Sequence, residues 1–302
     1  MNSKIQVVYC ADLDVSYGLL ISLASLIENT NSSIKISIIT DKERPVSANH
    51  VKALRLKYPY VEIEIIPIDT LRFHELPPLV ESRFPYAKLL IPEVCHVSKV
   101  IYIDVDTIVD VDISSLLGVE LGSNSILAKP VYSMKESLEK LLFKNLKISE
   151  DLMYCNTGVL VMNLDMLRKS NFSRRAIKFG KANSDQVLTA DQSIINAMLY
   201  KEIGKLPANY NNQVNPNSEL IPIHDYEKGI FHFVGAPKPW DPLARLFLSH
   251  FGIWREYERK NPDLFLFRPK LNKSSMFRIL KYIFRTLKKG SLPRLYFRIY
   301  KR

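Results

Sequence analysis

Cysteine is scarce in this chain: Cys10, Cys95 and Cys155 are the only three among 302 residues, widely separated and odd in number. They form neither a disulfide framework nor a Cys-x-x-Cys metal knuckle, and a reducing compartment is the plain expectation. Glycine, with 10 residues, and proline, with 17, are too few and too unpatterned for a collagen-like or low-complexity chain. With 47% hydrophobic and 24% charged residues, the balance is that of a globular protein. No uncharged apolar run approaches the ~18 residues of a membrane span, so an integral membrane protein is not expected. A secretory leader is not expected either, because the apolar run that begins at Ile5 soon meets an acid, Asp12.

Acid is missing from one region altogether. Residues 268–302 hold 12 basic residues and no Asp or Glu, which leaves 30 basic against 31 acidic residues in 1–267. The net charge of +11 therefore belongs to the C-terminus, and the body is close to neutral. A nucleic-acid partner is not expected, since the body carries no basic patch. The chain divides accordingly into a body, 1–267, and a basic tail, 268–302.

What is present reads as α/β. Ile5–Tyr9, Ile34–Thr40 and Val61–Ile66 are short, β-branched runs. Between them Leu19, Leu20, Leu23, Leu26 and Ile27, then Val46–Lys57, recur at helical spacing. A β-α-β-α-β order favours a parallel sheet. Pro85 opens a further helix and Val100–Ile103 forms a strand that ends at Asp104. The second half alternates less regularly, with helices expected at Met134–Leu146, Phe172–Ala182, Gln192–Tyr200 and Arg245–Lys260, and strands at Gly158–Met162 and Ile230–Val234.

Two short motifs carry chemistry. Asp104 and Asp106 flank Val105 just past an apolar strand, where extended side chains at i and i+2 point the same way and can grip one cation. Hard carboxylate oxygens suit Mg²⁺ or Mn²⁺, and ligands of open α/β sheets bind beyond the carboxyl ends of strands. Alone, such a pair also serves as solvated loop residues or helix caps. His232 follows on a short apolar strand, with Gly235 and Lys238 after it: an imidazole suited to a metal and an ammonium suited to phosphate. Flanked by Phe231 and Phe233, His232 reads equally as a structural histidine. Asn156, Thr157 and Gly158 enter a strand through small polar residues, and Asp191-Gln192 begins a helix, where Asp191 is either its cap or a sugar ligand.

In their order, Tyr9-Cys10-Ala11-Asp12, Tyr86-Ala87-Lys88, Tyr102-Ile103-Asp104-Val105-Asp106, Asn156-Thr157-Gly158-Val159, Asp191-Gln192 and His232 to Trp240 resemble glycosyltransferase family 8. That family includes bacterial lipopolysaccharide galactosyl- and glucosyltransferases and the glycogenins. The resemblance covers residues 5 to 260 and implies a GT-A fold, a Rossmann-like α/β nucleotide-sugar domain with a mixed, mostly parallel sheet. It implies transfer of a hexose from a UDP-sugar, UDP-glucose or UDP-galactose, with retention of configuration. Asp104, Asp106 and His232 match the ligands of Mn²⁺, with Mg²⁺ as the alternative. Asp12, with Cys10 and Ala11 beside it, falls where the family meets uracil, Asp14 on the ribose side, and Lys238 with Gly235 at the diphosphate. Val105 lies between the two metal-site acids. Asp191 and Gln192 match donor-sugar contacts, with Gln192 near the anomeric carbon; Asn156, Thr157 and Gly158 belong to the same pocket.

Some positions depart from the pattern. Lys88 stands where relatives carry Arg and loses the bidentate fork. Leu13 replaces a common acid, and Thr157 a smaller residue. Because Gln192 is a poor nucleophile, the residues favour front-face attack over a double displacement through a carboxylate.

On a helical wheel Arg278, Lys281, Arg285, Lys288 and Lys289 share one arc, and Phe277, Ile279, Leu280, Ile283, Phe284 and Leu287 the other. A basic amphipathic tail suits an anionic membrane surface; packing on its own domain is the alternative. The expectation is a cytoplasmic enzyme, peripheral on the inner face of the bacterial cytoplasmic membrane, acting on a lipid-linked saccharide. A glycogenin-like acceptor and a haloacid-dehalogenase-like phosphohydrolase, with Asp104 as nucleophile, are the rival readings.

Overall fold

Ile- and Val-rich segments build the sheet, as branched side chains favour an extended chain. In a computed structural model, described over residues 4–79, 82–216, 227–248, 250–267 and 273–288, the first half alternates strand and helix. Its elements are β1 (Ile5–Cys10), α1 (Ser16–Asn29), β2 (Ile34–Asp41), α2 (Ala48–Lys57), β3 (Glu62–Ile68), α3 (Ile91–Val94) and β4 (Lys99–Ile103). There follow β5 (Thr107–Val109), β6 (Ile126–Ser133), α4 (Lys140–Asn145), β7 (Met153–Asn163), α5 (Leu164–Lys169), α6 (Phe172–Ala182) and α7 (Asp191–Leu199). The chain continues through β8 (Ile203–Lys205), β9 (Asn212–Val214), β10 (Ile230–Phe233), α8 (Phe251–Lys260) and α9 (Lys273–Lys288).

Seven strands lie in the order β3-β2-β1-β4-β7-β6-β8, and β7 alone runs antiparallel to its neighbours. A small sheet, β5-β10-β9, stands beside it. Chain order reverses at β1, which lies between β2 and β4, and Val8 pairs with Tyr102. The segments after β1 and β4 therefore emerge side by side at the crevice such sheets use for ligands. Beyond the apolar face read for it, α1 is buried all round from Ser16 to Ile27: Leu19, Leu20, Leu23 and Leu26 join Ile36, Ile103 and Trp254 in the core. On the opposite sheet face Tyr86, Leu89, Leu160 and Ile194 form a second core.

Several expected elements differ. In place of one helix over 134–146 there is a 3₁₀ turn, Met134–Glu136, and then α4. Ser133 and Glu136 close a capping box, and the Ser137 hydroxyl donates to the Met134 carbonyl, which stops the first turn before it can propagate. The helix expected over 245–260 is likewise a 3₁₀ turn, Ala244–Leu246, followed by α8; Leu243 turns the chain with a φ of 61°. After Pro85 the chain forms a 3₁₀ segment, Phe84–Leu90, before α3. Strand β7 begins well before Gly158, and β6 carries Pro130, with register shifts on either side of it.

Helix α9 has three faces. Ile279, Tyr282 and Thr286 are buried, Ile279 and Tyr282 against Phe247, while Phe277, Leu280, Phe284 and Leu287 are exposed. Lys281, Arg285 and Lys288 line a third, exposed face. Two apolar positions expected on one arc thus separate, because Ile279 turns toward the body and Leu280 away. Among the described residues no helix is long and apolar enough to cross a membrane. Lys289 and the segment from Gly290 to Arg302 lie outside the described residues.

Candidate active site

The end of β4 delivers Asp104 and Asp106 through a turn, not through the extended chain their spacing suggests. The turn is pinned by the Asp104 amide, which donates to the Gly158 carbonyl at 2.7 Å, and by the Thr107 hydroxyl, which donates to the Asp104 carbonyl at 2.9 Å. Strand β10 places His232 opposite Thr107. Its Nε2 lies 3.2 Å from Asp106 Oδ1 and 3.6 Å from Asp104 Oδ2, and one ligand atom from each residue falls within 4.8 Å of the others.

A chain of amides fixes which imidazole nitrogen faces the acids. Gly158 N–H donates to Asn156 Oδ1 at 2.9 Å, and Asn211 Nδ2 donates to the same oxygen at 2.8 Å. That leaves Asn211 Oδ1 to accept from His232 Nδ1 at 3.0 Å, so the Nε2 lone pair is available to a cation. Gly158 leaves space for the ring: a Cβ there would lie 2.0 Å from His232 Cε1. Two hard oxygens and one oriented imidazole fit a divalent Mn²⁺- or Mg²⁺-type ion. Lys238 also reaches this cluster, bonding Asp106 through Nζ and the Phe233 carbonyl at 3.0 Å. Burial disfavours the Asp106 carboxylate, but Lys238 and His232 outweigh it and hold the carboxyl well below its usual range.

The cluster opens on a cavity of about 700 Å³. Of the residues expected in the site, Cys10, Asp12, Asp14, Lys88, Asp104, Val105, Asp106, Asp191 and Lys238 line it. Ala11 is buried, Gly235 turns the chain after β10 with a φ of 80°, and His232, Asn156, Thr157, Gly158 and Gln192 stand behind this wall as its supports. Lys88 is only 4% exposed. Its ammonium donates to Asp191 Oδ2 at 2.6 Å and to the Thr157 carbonyl at 2.9 Å, lies 3.5 Å from Asp104 Oδ1, and sits 4.6 Å from the Tyr102 ring centroid. Burial works against this cation, yet Asp104 and Asp191 outweigh it and raise Lys88 above the usual lysine range. Lysine in place of arginine here is a compact point charge that ties two acids together. Gln192 Oε1 accepts from Asn156 Nδ2 at 3.1 Å and from Thr157 N–H at 3.2 Å, and its Nε2 donates to the Tyr154 hydroxyl at 3.3 Å.

At the other end Asp12 caps the turn Leu13–Val15, accepting from Asp14 N–H at 3.1 Å. Burial first, and then the neighbouring Asp14, push its carboxyl above the usual range. Asp14 is paired with Arg44 at 2.8 Å. Burial likewise keeps Cys10 a thiol.

With this geometry in place, comparison with known proteins is direct. The family model "Glycosyl transferase family 8" matches residues 6–244. The chain belongs to glycosyltransferase family 8. It is 25% identical over 254 residues to General stress protein A of Bacillus subtilis, spanning 78% of this chain and 87% of that protein. It is 24% identical to the lipopolysaccharide 1,3-galactosyltransferase of Salmonella typhimurium, over 82% of this chain and 77% of that enzyme. Superposed on the galactosyltransferase LgtC, solved with donor and acceptor sugar analogues, it gives a TM-score of 0.69 at 18% identity, covering 91% of this chain and all of LgtC. The fold is therefore GT-A, and the phosphohydrolase reading is not favoured.

This family 8 glycosyltransferase also uses residues that sequence reasoning missed. Asn211 sets the His232 tautomer, Tyr154 holds Gln192, and Arg278 of α9 lines the cavity. Arg278 bonds the buried Asp241 through Nε, at 2.8 Å to Oδ2, and through Nη2. Asp241 Oδ2 in turn accepts from the Lys238 amide at 2.8 Å. Their residue types carried no local signal: each matters because of a partner far away in the chain.

Proposed function

We propose that this glycosyltransferase moves a hexose, glucose or galactose, from a UDP-sugar to a lipopolysaccharide or lipooligosaccharide core, with retention and with Mn²⁺ or Mg²⁺ as cofactor. The observation that carries the reading is the oriented Asp104–Asp106–His232 cluster at the wall of a cavity that also holds Lys238 and the Lys88–Asp191 pair. A divalent ion held there supplies charge neutralisation for a departing diphosphate. Lys238 adds a cation for the same oxygens by exchanging Asp106 for phosphate. Asp12 and Asp14 serve the nucleoside end. Asp191, whose Oδ2 is already held by Lys88 and Thr157, binds sugar hydroxyls. Gln192, held just behind the wall next to Asp191, is assigned to the side of the anomeric carbon, where it polarises without becoming a nucleophile, so attack comes from the front face and the departing phosphate oxygen takes the acceptor proton.

The lipid acceptor is supported by the similarity to the Salmonella lipopolysaccharide 1,3-galactosyltransferase and by α9, whose exposed apolar stripe runs beside Lys281, Arg285 and Lys288. Such a helix suits the anionic inner face of a bacterial cytoplasmic membrane.

The experiment is UDP release by purified protein from a panel of UDP-sugars with Mn²⁺, Mg²⁺ or EDTA. Metal-dependent hydrolysis of one UDP-hexose, abolished by Asp106→Ala, is expected. Absence of both release and metal-dependent UDP binding by calorimetry would overturn the reading. For the membrane, Phe277, Leu280, Phe284 and Leu287 changed together to Ser should abolish sedimentation with anionic vesicles; unchanged sedimentation would remove that part.

A further inference from the structure

Glu139 is the most secluded acid near the site that the proposed chemistry leaves without a role. It precedes α4, is 1% exposed, and lies behind Gln192, not in the cavity wall. Its Oε1 accepts from the Thr189 hydroxyl at 2.7 Å and from the Ser193 hydroxyl at 2.7 Å. Its Oε2 is buried with no hydrogen-bond partner among the described residues. Withdrawing a carboxylate this far from water is unfavourable, so a position that keeps one demands a reason.

We propose that Glu139 is a positioning residue, which orients the side-chain amide of Gln192 through the hydroxyls of Thr189 and Tyr154. The direction of each hydrogen bond follows from the groups at the ends. Ser193 Oγ accepts from the Thr189 backbone N–H at 2.8 Å and lies 3.0 Å from the Thr189 hydroxyl, but the shorter 2.7 Å contacts of both hydroxyls to the acceptor-only Glu139 Oε1 draw both protons there. Thr189, having given its proton to Glu139, accepts from the Tyr154 hydroxyl at 2.8 Å. Tyr154 is then left with lone pairs only, and Gln192 Nε2 must be the donor to it. At the opposite end the Thr157 N–H can only donate, and Asn156, whose Oδ1 already accepts from Gly158 N–H, presents Nδ2. Both ends thus impose the same orientation, with Gln192 Oε1 toward β7 and Nε2 toward Tyr154.

The backbone of the same turn supports this role. Ala190 sits between Thr189 and Asp191 with φ 53° and ψ −124°, a conformation L-residues rarely adopt. Glu139 binds hydroxyls on both sides of that residue, Thr189 before it and Ser193 after it. One carboxylate therefore holds the turn that presents Asp191 and Gln192 and reinforces, from the Tyr154 side, the amide polarity that the Thr157 N–H favours. The consequence for catalysis rests on the reading of Gln192 as the residue beside the anomeric carbon; the orientation itself does not.

Glu139→Gln tests it, since an amide of equal shape can donate to Thr189 and reverse the chain. The side-chain ¹⁵N–¹H₂ signal of Gln192, identified by its loss in Gln192→Ala, should move in Glu139→Gln, and UDP release should fall about 10-fold in kcat with KM unchanged. In a Gln192→Ala background, Glu139→Gln should add nothing. Tyr154→Phe removes only the linking hydroxyl, should move the same signal, and serves if Glu139→Gln does not fold. An unmoved Gln192 signal in the folded variants overturns the proposal. So does a kcat loss of the same size in the Gln192→Ala background. If the wild-type chain releases no UDP, the NMR signal still decides the orientation, and only the reading of Gln192 as a catalytic-site residue is lost.

Discussion

The cleft has two cationic sides of different kind. On the sheet side, Lys88 is 4% exposed and spends its donors on Asp191, Asp104 and the Thr157 carbonyl. On the loop side, Lys238 is 24% exposed, and its hold on Asp106 depends on a turn tied by Asp241 to Arg278 of α9. The contrast separates two uses of one charge. A buried cation among acids is part of the architecture, because removing it strands uncompensated charge. A half-accessible one on a loop can change partners, which a phosphate clamp requires.

The largest effect that would test this contrast is on folding. Lys88→Met should lower unfolding free energy by about 3–5 kcal/mol, since Asp191 and Asp104 lose their shared partner; urea denaturation measures it, and a loss comparable to that of Lys238→Ala would erase the distinction. Next, Gly158→Ala forces its Cβ against the His232 ring and should weaken divalent-ion binding about 100-fold by calorimetry, through the supporting residue rather than a ligand. Lys238→Ala should cost less unfolding free energy than Lys88→Met, because Asp106 keeps His232, yet weaken UDP binding about 30-fold, as loss of a charge-assisted contact of roughly 2 kcal/mol would. Arg278→Ala should give the smallest change, about 10-fold in the KM for UDP-sugar, with Arg278→Lys intermediate. An unaltered KM in Arg278→Ala would show that α9 and the Lys238 turn are independent.

How far the site was legible varies along the same divide. Asp104, Asp106, His232, Lys88 and Asp191 stand in short motifs, and the structure brings four of them into the wall of one cavity with His232 directly behind the two metal-site candidates. Their helpers were not legible. Nothing adjacent to Asn211 in the chain announces that its amide oxygen will meet an imidazole, and Glu139 lay inside what reads as a continuous helix. Arg278 reads from the sequence as part of the basic arc of a membrane-facing amphipathic helix, whereas Asp241 draws it into the cleft.

The sequence by itself determined the β-α-β-α-β opening, because periodicity and β-branching act over a few residues at a time. It also determined the family, because several spaced motifs matched in order. Tertiary structure alone decided the short strands β5, β8 and β9, the three faces of α9, and which hydrogen bonds orient His232 and Gln192. Those outcomes depend on partners distant in the chain, and the free energy of a buried polar group is settled by what it meets rather than by what precedes it.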